Sequence, residues 1–102
     1  MTTDAQIIEK KKTNTRLPKE PGKFKVIVCN DNVTPMDFVV AMFIQVFKHS
    51  QSNAVDLTLK IHNEGSAVAG IYRYEIAEQK IADATNLARS NGFPLILKAE
   101  EE

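Results

Sequence analysis

The sequence predicts an α+β fold: a two-layer β-α-α-β-α-β domain in which a small three-stranded antiparallel sheet packs against three helices, preceded by a flexible N-terminal arm. Three observations predict it. Short runs rich in β-branched and apolar residues stand at 24–29, 66–74 and 93–97. Between them, apolar residues recur at helical spacing across 35–48, 52–62 and 75–91. Residues 1–22 carry Lys10-Lys11-Lys12, Pro18 and Pro21-Gly22, with little apolar content beyond Ile7-Ile8 and Leu17. They read as the arm, which leaves 23–102 as the domain.

The first strand, Phe24 to Cys29, leads into the turn Asn30 to Val33. Thr34 is the expected N-cap of the first helix, Pro35 suits the first helical position, and Asp37 can complete a capping-box-like arrangement. That helix runs to Lys48, with Val39, Met42, Phe43, Val46 and Phe47 on one face. Ser52 and Asn53 are expected to cap the second helix, which extends to about His62 before Gly65 stops it. Ser66 to Tyr74 reads as a strand softened by Gly70. Glu75 to Asn91 is a helix ended by Gly92, although neither Arg73 nor Tyr74 is a good cap for its start. Phe93 to Leu97 is the last strand, and Glu100 to Glu102 form an acidic tail.

Composition narrows the function. With 102 residues there is room for one domain and one modest core. Thirteen basic residues balance thirteen acidic ones, so no net field favours nucleic acid or an anionic membrane. The longest apolar segment, Phe38 to Phe47, is interrupted by Gln45 and is too short to span a bilayer. No secretory or transit pattern is present in the arm, so a soluble cytoplasmic protein is expected. Cys29 is the one cysteine, which excludes an internal disulfide and fits a small buried hydrophobe in a strand. With no Gly-rich phosphate loop, paired-His motif or calcium loop, no metal or cofactor is expected.

The run Asn30-Asp31-Asn32-Val33-Thr34-Pro35-Met36 gathers a carboxylate, two amides, a helix start and a thioether at a strand-to-helix junction. Such a junction presents polar groups to solvent from a rigid scaffold. The same residue types also build an ordinary turn, and local sequence by itself favours that plainer reading. His62 shares a helix face with Thr58. It reads either as a hydrogen-bond acceptor or as a histidine stabilised by a helix C-terminus, the second being the commoner case. His49 reads as exposed. Cys29, His62 and Asp31 are the residue types of a thiol hydrolase, but no nucleophile signature surrounds Cys29, and no enzyme activity is expected.

Taken together, Lys25-Val26-Ile27-Val28, the Asn30 to Met36 junction, Ile61-His62-Asn63-Glu64-Gly65 and Tyr74 to Lys80 resemble the ClpS family of bacterial Clp adaptors. The likeness runs from about residue 23 to 98. It implies a non-enzymatic N-recognin, an adaptor that binds the free α-amino group and bulky first side chain of proteins beginning with Leu, Phe, Tyr or Trp. It also implies delivery of these N-degron substrates to the N-terminal domain of a ClpA or ClpC AAA+ unfoldase working with ClpP, with the adaptor acting as a monomer. By this resemblance Asn30, Asp31 and His62 surround the α-amino group. Thr34, Met36, Val39, Thr58, Ile61 and Leu95 form the hydrophobic pocket, with Met36 at its mouth. Glu75 and Lys80 match the surface that docks on the unfoldase, and the arm matches the extension that engages it during delivery.

Two positions depart from the family pattern. Asn32 stands where a second acidic residue is usual, which removes a negative charge from the rim. Thr58 stands where methionine is expected, and Ile61 replaces a usual valine, so the pocket wall changes in size and polarity. The expectation is better tolerance of Ile or Val as the first residue than the family shows. An amine ligand that must be protonated beside an imidazole that must accept predicts binding strongest near neutral pH. The rival reading is an interaction domain like the ribosomal stalk protein's C-terminal domain, which shares this element order without an amine pocket.

Overall fold

The computed structural model describes residues 22–102, and the expected N-terminal arm at 1–22 lies almost wholly outside them. Six elements follow in the expected order: β1 Lys23–Cys29, α1 Met36–Gln45, α2 Gln51–Glu64, β2 Ser66–Arg73, α3 Tyr74–Ser90 and β3 Ile96–Glu101. β1 is the central strand of an antiparallel sheet ordered β2-β1-β3. Its alternation places Val26 and Val28 on the helix-covered face with Ala67, Ala69 and Leu97. Lys25 and Ile27, paired with Ile71 and Val68 on one side and with Glu100 and Lys98 on the other, lie on the open face. An antiparallel sheet tolerates that one-sided covering.

The core is built around Phe43 and Met42 of α1, both fully buried. Burying such a side chain contributes roughly 1.5 to 3 kcal/mol. α3 contacts all three strands and faces them with Ala77, Ala84 and Ala88. These small residues share one face of the helix and let its backbone approach the sheet closely. α2 lies on β2, and α1 packs against α2.

Several boundaries differ from expectation, each for a local reason. Pro35, not Thr34, is the N-cap of α1, and it makes no side-chain cap bond. Thr34 is committed elsewhere: its hydroxyl donates to Asp31 Oδ2 at 2.7 Å. A capping box through Asp37 is also impossible, because a proline N-cap has no N–H to receive it. α1 stops at Gln45 rather than Lys48, and the chain turns through Lys48 at φ 61°. α2 begins earlier than expected, since Ser50 and not Ser52 or Asn53 caps it by accepting from the Asn53 N–H at 3.1 Å.

In β2 the irregularity falls at Ala69 rather than Gly70. Val26 pairs with Gly70 but Ile27 pairs with Val68, so Ala69 is bulged. The bulge explains His49, which is not simply exposed. Its Nε2–H donates to the Ala69 carbonyl at 2.6 Å, while its ring meets Phe43 edge-on at 5.8 Å. The final strand begins at Ile96, leaving Phe93-Pro94-Leu95 as connection. The expected acidic tail is strand instead, with Glu100 opposite Lys25 and its carboxylate 3.7 Å from Lys25 Nζ.

Candidate functional site

The turn after β1 is organised by one carboxylate. Asp31 Oδ1 accepts the backbone N–H of Val33 at 2.8 Å and that of Thr34 at 2.7 Å, while Oδ2 accepts the Thr34 hydroxyl. Burial pushes the Asp31 carboxyl upward, but the Thr34 N–H and hydroxyl, the Val33 N–H and the charge of Arg89 outweigh it. The group is therefore held below the ordinary aspartate range. A carboxylate offers about four acceptor positions. Its own turn occupies three, which leaves capacity on Oδ2 for an incoming donor.

The other side of the site comes from α2. Gly65, at φ 95°, closes the helix with its N–H on the Ile61 carbonyl. Its own carbonyl accepts the Asn30 N–H at 2.8 Å. The end of β1 and the last turn of α2, which carries His62, are thereby joined directly. Asn30 and His62 are both exposed.

Beneath this rim lies an open depression lined by Cys29, Asn30, Asp31, Thr34, Met36, Val39, Thr58, Ile61, His62 and Leu95. The nine residues expected at the amine site and the pocket are thus brought around one depression. Val39, Thr58, Ile61 and Leu95 are buried and form its walls, while Met36 is 41% exposed at the edge. Thr58 does not present an unsatisfied hydroxyl, because Oγ1 donates to the Ala54 carbonyl one helical turn back at 2.8 Å.

Cys29 is the lining residue that sequence reasoning did not place. It is half-buried rather than sealed in the core, and its position immediately before Asn30 was the available signal. Glu75 and Lys80 stand apart from the cavity. Glu75 is exposed in the first turn of α3. Lys80 turns inward: its Nζ donates to the Val46 carbonyl at the end of α1, at 2.9 Å, and lies 5.7 Å from the Tyr72 ring centre. Among the described residues no helix is long and apolar enough to cross a membrane.

Comparison with known proteins bears on the family and the fold. The family model described as "ATP-dependent Clp protease adaptor protein ClpS" matches residues 19–98. An ATP-dependent Clp protease adapter protein ClpS from Oleidesulfovibrio alaskensis is 45% identical over 83 residues, covering 81% of this chain and 80% of that protein. The ClpS of Treponema denticola is 46% identical over 82 residues, covering 80% and 81% respectively. Among solved structures, Agrobacterium tumefaciens ClpS2 bound to L-phenylalaninamide superposes with a TM-score of 0.79 at 36% identity, covering 81% of this chain and all of that one. On the family model and on relatives 45–46% identical over four-fifths of its length, the chain belongs to the ClpS family of ATP-dependent Clp protease adaptors.

Proposed function

We propose that this adaptor is an N-recognin whose cavity takes the first residue of a substrate protein. The observation that carries the reading is the coincidence of three polar groups, Asn30, Asp31 and His62, with the apolar walls of a single cavity. An α-ammonium leaving water needs acceptors, since an unpaired charge is costly to desolvate. The Asn30 carbonyl, the remaining capacity of Asp31 and a neutral His62 nitrogen supply them. Val39, Ile61 and Leu95 receive the side chain, with Thr34, Met36 and Thr58 completing the pocket.

Magnitudes show why both halves are required. Hydrogen bonds to a charged group contribute about 1.5 to 3 kcal/mol each. Burial of a Leu or Phe side chain contributes a similar ~1.5 to 3 kcal/mol. Neither term alone overcomes the several kcal/mol lost in association, so a free amine on a small residue and a bulky residue with a blocked amine both bind poorly. The ligand of the Agrobacterium relative has the corresponding chemistry: a free α-amine, a benzyl side chain, and an uncharged amide standing in for the next peptide bond. Substrates led by Leu, Phe, Tyr or Trp are the proposed class.

Delivery to the N-terminal domain of a ClpA- or ClpC-type unfoldase is the second part of the proposal, with Glu75 and Lys80 on the docking surface. The deciding experiment measures binding of short peptides that differ only in the first residue, each free and Nα-acetylated. Leu- and Phe-led peptides bind and their acetylated forms do not; retention of binding after acetylation refutes the amine site.

A further inference from the structure

One charged side chain outside the cavity holds a segment of its wall. Arg89, in the last turn of α3, donates from Nη1 to the Phe93 carbonyl and to the Leu95 carbonyl, each at 2.9 Å. The segment it holds has no ladder of its own, because β3 begins only at Ile96. Leu95 is 1% exposed and forms part of the cavity wall. Phe93, clasped by the same bond pair, packs edge-on against Phe38 of α1 at 5.0 Å, which fixes the far side of the connection. The guanidinium charge also lowers the Asp31 pKa from a distance, after the bonds from Thr34 and Val33.

We propose that Arg89 is a positioning residue for first-residue recognition: it sets the Leu95 wall of the cavity through the Phe93 and Leu95 carbonyls. The proposal rests on the reading of the cavity as the first-residue site. It assigns a role to a helix that contributes no side chain to the lining. A guanidinium suits this task, because it stays charged and presents fixed, directional donors.

The test compares the unmutated protein with Arg89→Met and Arg89→Lys, reading affinity for Phe-led and Ala-led peptides. In Arg89→Met, Phe-led peptides bind about tenfold more weakly, and the preference for Phe over Ala narrows. Arg89→Lys recovers part of the affinity. A folded Arg89→Met protein with unchanged Phe-over-Ala preference overturns the proposal. Should that variant fail to fold, the unmutated protein decides: the Arg89 side-chain and Leu95 methyl resonances both shift when a Phe-led peptide binds, and an Arg89 resonance unmoved by binding is equally fatal. Failure of the underlying reading is separable, since it appears as absence of amine-dependent peptide binding in the unmutated protein whatever Arg89 does to the Leu95 wall.

Discussion

The backbone N–H of Asn30 donates to the carbonyl of Gly65 at 2.8 Å, tying the exit of the central strand to the end of α2. That bond fixes the spacing between Asn30 and the last turn of α2, which carries His62. It depends on Gly65 adopting φ 95°, a conformation that costs a residue with a Cβ roughly 1 to 2 kcal/mol, although a methyl there meets no atom within 4 Å. Gly65→Ala is therefore expected to lower the melting temperature by about 4 to 8 °C per kcal/mol lost. Calorimetry checks the stability, and peptide titration checks for a parallel loss of affinity for Leu-led ligands.

Asp31 makes stability sensitive to acid. Its folded-state pKa lies below the unfolded value of 3.8, so its contribution is fully present above that value and is lost as pH falls through the lower folded pKa. Urea unfolding measured between about pH 2 and 6 shows this component as a fall in stability below about 3.8. In Asp31→Asn that component is absent. The amide cannot accept as many donors as the carboxylate, so the variant is also less stable at neutral pH and binds amine-led peptides weakly.

In the proposed pocket, Thr58 is expected to govern which side chains enter. Its hydroxyl is already bonded to the Ala54 carbonyl, so the short, β-branched wall leaves space without exposing an orphaned donor. Thr58→Met fills that space and is expected to weaken Ile- and Val-led peptides against Leu-led ones by about tenfold, in line with the roughly 1 to 3 kcal/mol associated with a methylene of misfit. Equal losses for all three ligands would argue against a role in selection.

Lys80 has structural work within the fold, in addition to its proposed place on the docking surface. Lys80→Met removes the bond to the Val46 carbonyl and the contact over Tyr72, and is expected to cost about 1 to 2 kcal/mol. Glu75→Ala, exposed and free of such contacts among the described residues, leaves stability within about 0.5 kcal/mol. Melting curves of the two variants, set beside their affinity for an unfoldase N-terminal domain, separate docking from folding.

Lys48 sits in the left-handed region at φ 61° between α1 and α2. Replacing it with glycine relieves about 1 to 2 kcal/mol of backbone strain and returns part of that as unfolded-state entropy. A net stabilisation of up to about 1 kcal/mol is expected by denaturant unfolding, with peptide binding unchanged.

The sequence by itself determined the order and kind of the six elements, because period-2 and period-3.6 patterning is written into neighbouring residues and survives without tertiary information. It also singled out Asn30, Asp31 and His62, through the resemblance of their surroundings to a known adaptor rather than through local chemistry, which favoured a plain turn. Element ends were less legible. Thr34 is a good N-cap by type, but Asp31 captured its hydroxyl and its N–H. Ser50 lies two residues before Ser52, the first expected cap, and the acidic residues at the C-terminus became strand only because Lys25 and Phe24 stood opposite them. Tertiary structure alone decided three things. The half-buried place of Cys29 at the cavity depends on where β1 ends relative to α2. Lys80 turns toward Val46, 34 positions away in the chain. Arg89 reaches the Phe93 and Leu95 carbonyls beyond the end of its helix. The physical reason is common to all three: hydrogen bonds and charges act through space within a few ångströms, and the chain positions they join are set by packing, which a local pattern does not encode.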